Sequence, residues 1–87
     1  MTGKPHSKKA PAIALAAAIL RHVAQHQRVR ARAFTVALGL NPSTAHYIAK
    51  ALVRAGLLAF DERTKLYELG PELHELSQKA KARRSWT

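Results

Sequence analysis

The stretch that most constrains this sequence is Gly39-Leu40-Asn41-Pro42, because it stops one helix and starts the next within a few residues. Gly39 tolerates the positive φ of a helix C′ position because it has no Cβ. The Asn41 side chain is placed to accept the exposed N–H groups of Ser43 and Thr44. Pro42 suits the first helical position, where its missing N–H costs nothing. A link this short predicts a helix-turn-helix unit.

Upstream of the link, Ala31, Phe34, Thr35 and Leu38 form the inward stripe of a helix over residues 30–38, and Leu40 plugs the turn. Earlier still, Ile13, Ala16, Ala17, Leu20, Val23 and Ala24 recur at helical spacing, predicting a helix over residues 11–26. The helix that starts at Pro42 is expected to reach about Ala55, to bury Ala45, Ile48, Ala49, Leu52 and Val53, and to stop at Gly56. The period then changes. Residues 57–60 and 65–69 read as two short strands joined by the polar loop Asp61-Glu62-Arg63-Thr64. Gly70-Pro71 admits a last helix over residues 72–83, with Glu72 and Glu75 at its positive end and Lys79, Lys81, Arg83 and Arg84 at its negative end. The expected fold is mainly α with a small β-hairpin: a winged helix-turn-helix of three-helix core, two-stranded wing and C-terminal helix. Residues 1–10 read as a flexible basic arm, 11–83 as the domain and 84–87 as a tail. Trp86, alone in that tail, is a candidate for packing on a partner subunit.

Charge narrows the partner. The chain of 87 residues has a formal net charge of +10, and all its acidic residues lie between Asp61 and Glu75. The first sixty residues carry nine lysines and arginines and no carboxylate. Segregation of this kind favours a polyanion partner over a merely solubilising role. Without cysteine there is no disulfide, zinc-finger or thiol chemistry, as suits a reducing cytoplasm. The apolar run at 10–20 is too short to cross a bilayer and leads into Arg21 and His22, so no membrane role is expected. With no Ser/His/Asp or paired-acid arrangement, an enzyme is not expected. His22 and His26 are one helical turn apart but lack a third ligand, so neither a metal nor a cofactor is expected.

On the helix after Pro42, Ser43, His46, Tyr47, Lys50 and Arg54 fall on one continuous polar line, with Thr44 at its edge. A helix entering the DNA major groove reads base edges with its N-terminal side chains, which suits Ser43, Thr44, His46 and Tyr47. Lys50 and Arg54 lie further along, where phosphates are the better partners. Arg30 and Arg32 open the preceding helix, which crosses the backbone in such motifs, and are candidate phosphate contacts. Arg63 and Lys65 in the hairpin have two readings: contact with a minor groove or phosphate, or local pairing with Asp61 and Glu62. Lys4, Lys8 and Lys9 of the arm, and Lys79, Lys81, Arg83 and Arg84 at the carboxyl end, would add non-specific affinity.

At these residues the sequence resembles the N-terminal winged-helix domain of the IclR family of bacterial transcription regulators. The likeness spans residues 15–76. It is carried by Ile19-Leu20-Arg21-His22-Val23-Ala24, Leu38-Gly39-Leu40, Ser43-Thr44-Ala45-His46, Leu52-Val53-Arg54-Ala55-Gly56-Leu57-Leu58 and Tyr67-Glu68-Leu69-Gly70-Pro71. It implies that helix 42–55 lies in the major groove with Ser43, Thr44 and His46 on DNA, and that hairpin 58–69 touches the flank. The sequence departs from the family where Arg30 replaces the usual Ser or Thr N-cap, so this helix is expected to be capped differently or to fray. Pro42 and Tyr47 also stand at positions where the family often has a basic residue. Nothing corresponds to the family's C-terminal effector-binding domain, so no small-molecule effector is expected.

These observations together predict a sequence-specific regulator of double-stranded DNA. It is expected to be a cytoplasmic, nucleoid-associated bacterial protein that acts as a steric repressor. A homodimer is expected, with helix one and the Leu73/Leu76/Ala80 stripe as candidate interfaces. Two alternatives keep the basic charge: a protein-interaction adaptor using the apolar Phe60 and Leu66 of the hairpin, and a non-specific nucleic-acid binder.

Overall fold

The structure is a computed structural model that describes residues 11–82. The expected arm at 1–10 and tail at 84–87, with Trp86, lie outside the described residues. The elements run α1 (Pro11–His26), α2 (Ala31–Ala37), α3 (Pro42–Arg54), β1 (Leu58–Asp61), β2 (Leu66–Leu69) and α4 (Pro71–Ala82). This is the expected winged helix-turn-helix order.

The turn between α2 and α3 is built as its residues dictate. Gly39 has φ +63°, and the Leu40 N–H reaches back to the Thr35 carbonyl at 2.9 Å, closing a Schellman-type end. Asn41 Oδ1 accepts the Ser43 N–H at 2.8 Å and the Thr44 N–H at 3.4 Å. The same device ends α3: Gly56 has φ +81°, and the Leu57 N–H donates to the Leu52 carbonyl at 2.9 Å. Because Leu57 is committed to this cap, β1 starts at Leu58, one residue later than the hydrophobic run indicates. Arg30 is the N-cap of α2 and makes no side-chain capping bond, so the expected departure in capping is real.

The core is Ile19 and Val23 from α1, Phe34 from α2, Ala45, Ile48, Ala49 and Leu52 from α3, and Leu58 and Tyr67 from the hairpin, with Val29 between α1 and α2. The face that α1 buries differs from the expected stripe. Ile13 is 82% exposed and Ala24 is exposed, whereas Ile19 is fully buried. Val23 of the expected stripe is fully buried, and Ala16 and Leu20 pack partly against the core, so the buried face is turned toward Ile19 by less than one residue, under about 100°. Alanines surround this helix, so its apolar signal marks no single side, and contact with α3 and β2 sets the phase.

Val29 is the element the sequence concealed. It forms an isolated bridge with Tyr67: the Val29 N–H donates to the Tyr67 carbonyl at 3.0 Å, and the Tyr67 N–H to the Val29 carbonyl at 2.7 Å. The wing is thereby tied to the link between α1 and α2. Gln27, at φ +69°, turns the chain out of α1 without the glycine that usually marks such a point.

The two strands pair antiparallel with Leu58 opposite Leu69 and Phe60 opposite Tyr67. Behind them the Gly70 N–H donates to the Leu57 carbonyl at 2.9 Å, and a Cβ on Gly70 would overlap the Gly56 carbonyl. Gly70 is therefore a close-packing residue as well as the end of a strand. α4 follows with no buried residue and with Leu76 50% exposed.

Urea denaturation checks the phase of α1. Ile19→Ala is expected to cost about 3 kcal/mol through lost burial and a cavity. Ile13→Ala should stay within about 0.5 kcal/mol, as exposed substitutions do. Equal losses would return the core face to the Ile13 line.

Candidate nucleic-acid interface

α3 has two sides with different tasks. Ala45, Ile48, Ala49 and Leu52 are buried, while Ser43, Thr44, His46, Tyr47, Lys50 and Arg54 are all exposed. The first turn of α3 carries no acidic residue, so the positive end of its dipole is not neutralised from within.

The exposed residues do not form one uniform strip. His46, Lys50 and Arg54 turn toward the hairpin, where with Val53, Phe60, Glu62 and Tyr67 they line a groove of about 360 Å³. Tyr47, 71% exposed, lies on the other flank and lines an apolar groove of about 310 Å³ with Ile13, Ala16 and Ile48. Ser43 and Thr44 stand at the amino end of α3 and line neither groove. Glu62, a candidate partner for Arg63 and Lys65 in one of their two readings, borders the groove of His46, Lys50 and Arg54.

Arg30 and Arg32 lie elsewhere. They line a broad groove of about 770 Å³ over α2 and β2, together with Arg28, which sequence reasoning passed over. Arg30 Nη1 donates to the Thr64 carbonyl at 3.3 Å, bracing the hairpin turn against the N-cap of α2. The bridge at Val29 holds Arg28 and Arg30, its two chain neighbours, beside the same groove, and nothing in the hydrophobic pattern marked that link.

The hairpin turn has its own logic. Asp61 Oδ1 accepts the Arg63 N–H at 2.8 Å and the Thr64 N–H at 3.3 Å. These bonds hold its carboxyl below the ordinary range, with Arg63 the larger cause. Asp61 therefore organises the backbone of the turn and makes no ion pair with Arg63 or Lys65. Lys65 sits at φ +65°, which takes it out of β2, and its Nζ lies 6.0 Å from the Phe60 ring centroid. Among the described residues the ion pair is Arg28 Nε with Glu68 Oε1 at 3.6 Å, both side chains more than half exposed, and such a pair contributes little. Phe60 is half-buried, with its ring 4.6 Å from that of Tyr67, so core packing accounts for its apolar character.

His22 and His26 stack with centroids 4.2 Å apart, and His26 Nδ1 lies 2.9 Å from the His22 carbonyl. Burial, and then the neighbouring His26, lower the His22 pKa. Among the described residues no three potential metal ligands come together. Nor is any helix there long and apolar enough to cross a membrane.

Comparison with known proteins gives this geometry a family. The IclR helix-turn-helix domain model matches residues 12–62, more than half of the chain. The chain belongs to the IclR helix-turn-helix family. Among solved structures, an IclR transcriptional regulator from Alicyclobacillus acidocaldarius is similar at 28% identity and TM-score 0.77, over 80% of this chain and 29% of that one. An IclR family transcriptional regulator from Brucella abortus shares the fold at 23% identity and TM-score 0.74, over 83% of this chain and 28% of that one. The chain thus spans less than a third of the length of either regulator. Comparison with curated protein sequences gives no match.

The role of Asp61 makes a pH prediction. Its folded pKa is depressed, so the stability it lends the turn is present above the unfolded value and is lost as pH falls through the folded value. In an NMR titration, the Arg63 and Thr64 amide shifts should move together with a midpoint below that of an ordinary aspartate. A midpoint at the ordinary value would mean that these bonds do not form in solution.

Proposed function

We propose that this IclR-type domain is a sequence-specific double-stranded DNA-binding transcriptional regulator that inserts α3 into the major groove. The observation that carries the reading is the exposed face of α3, which is free of carboxylates and whose core stripe anchors it beside the hairpin. Ser43, Thr44 and His46 reach base edges, and Tyr47 extends the contact on the side toward α1. Lys50 and Arg54 meet phosphates on the hairpin side. Arg30, Arg32, Arg63 and Lys65 contact the flanking backbone. The protein acts in the bacterial cytoplasm, at the nucleoid, as a repressor that excludes other proteins from its site.

The active form is a homodimer. A chain of net charge +10 repels its own copies, so two copies meet best on uncharged surface. The exposed Ile13 of α1 and the exposed Leu76 of α4 lie on such surfaces. Dimerisation also doubles the bases read, as is usual for helix-turn-helix proteins.

Duplex titration at several salt concentrations tests the reading. With about eight phosphates neutralised per dimer, log K should fall with log salt at a slope of about −7. Lys50→Ala should weaken all sequences alike and make that slope shallower by about 2, because each dimer loses two phosphate contacts. Ser43→Ala, Thr44→Ala and His46→Ala should change which sequence is preferred. If all four variants keep both affinity and preference, α3 is not the reading helix.

A further inference from the structure

The broad groove over α2 and β2 has a chemistry that DNA alone does not satisfy. Its floor is apolar, formed by Ala33, Val36 and Leu66, and Arg28, Arg30 and Arg32 stand around it with no carboxylate in its lining. Val36 is 66% exposed although the opposite face of the same helix buries Phe34 completely. A phosphate backbone would pair with the arginines but would leave the Val36 and Leu66 side chains in water.

We propose that this groove docks an acidic amphipathic segment of a partner protein, with aliphatic or aromatic side chains on Val36 and Leu66 and with flanking carboxylates that compete with DNA phosphates for Arg30 and Arg32. Charge complementarity selects the occupant. Guanidinium groups at the edge of an apolar surface are weakly hydrated and take carboxylates in bidentate pairs. The groove is open to solvent, which suits a polypeptide segment better than an enclosed small molecule. The Arg28–Glu68 pair is exposed, so Arg28 can exchange partners at little cost.

The chain's own segments are poorer occupants. Residues 1–10 and 83–87 contain no Asp or Glu and have the same sign as the arginines. In a second copy, Asp61 is held by its turn, which leaves Glu62, Glu68, Glu72 and Glu75 on a body of net charge +10.

The test uses the whole chain without DNA, so its failure is distinct from failure of duplex binding by α3. The probe is a short fluorescein-labelled peptide with leucine and phenylalanine at helical spacing among glutamates, compared by anisotropy with polyglutamate of equal length. The amphipathic peptide should bind about tenfold more tightly than polyglutamate, an anchor's usual share of binding. Val36→Lys should remove that advantage even though it adds positive charge. Arg32→Glu should weaken binding, while Lys79→Ala on α4, outside the groove, should leave it unchanged. Equal binding of the two peptides, or indifference to Val36→Lys, would overturn the proposal. So would self-association in sedimentation equilibrium that Val36→Lys abolishes, since the occupant would then be a second copy.

Discussion

Tyr67 joins the wing to the helices, and the rest of the interface depends on that joint. A hairpin of two four-residue strands is marginal by itself in water. Here its second strand exchanges both main-chain bonds with Val29, and the Tyr67 ring lies between those of Phe34 and Phe60, at 5.6 and 4.6 Å. Burial also raises the pKa of its hydroxyl. One residue thus sets the position of the turn carrying Arg63 and Lys65 and closes one wall of the groove that holds His46, Lys50 and Arg54.

From that joint the molecule divides its basic surface. The α3 side offers short polar side chains at the amino end and cations beside the hairpin, an order that suits bases first and phosphates after. The α2 side offers arginines around exposed aliphatic carbon. Glu62 borders the first of these surfaces and is absent from the lining of the second. A carboxylate there would oppose indiscriminate phosphate binding.

Much of the fold is legible in the sequence because punctuation and packing agree. Gly39, Asn41-Pro42 and Gly56 each announce a backbone geometry that the structure adopts, so the helix-turn-helix and the limits of α3 follow directly. Two features are hidden for physical reasons. The buried side of α1 cannot be phased from a run rich in alanine, and Ile19 is identified only once α3 and β2 are in place. The Val29 bridge follows a left-handed Gln27, a conformation that glycine or asparagine would have signalled and glutamine does not. The exposure of the α3 residues was readable from their period. Their division between two flanks was not, because it depends on where the hairpin comes to rest.

The most direct measurement is selection of bound sites from a pool of random duplex DNA, followed by sequencing. Base reading by α3 in a dimer predicts enrichment of an inverted repeat whose half-sites lie about one helical turn, roughly 10 base pairs, apart or a multiple of it. Recovery of the pool without enrichment, at an affinity that salt still weakens, would contradict base reading and leave only attraction to the backbone.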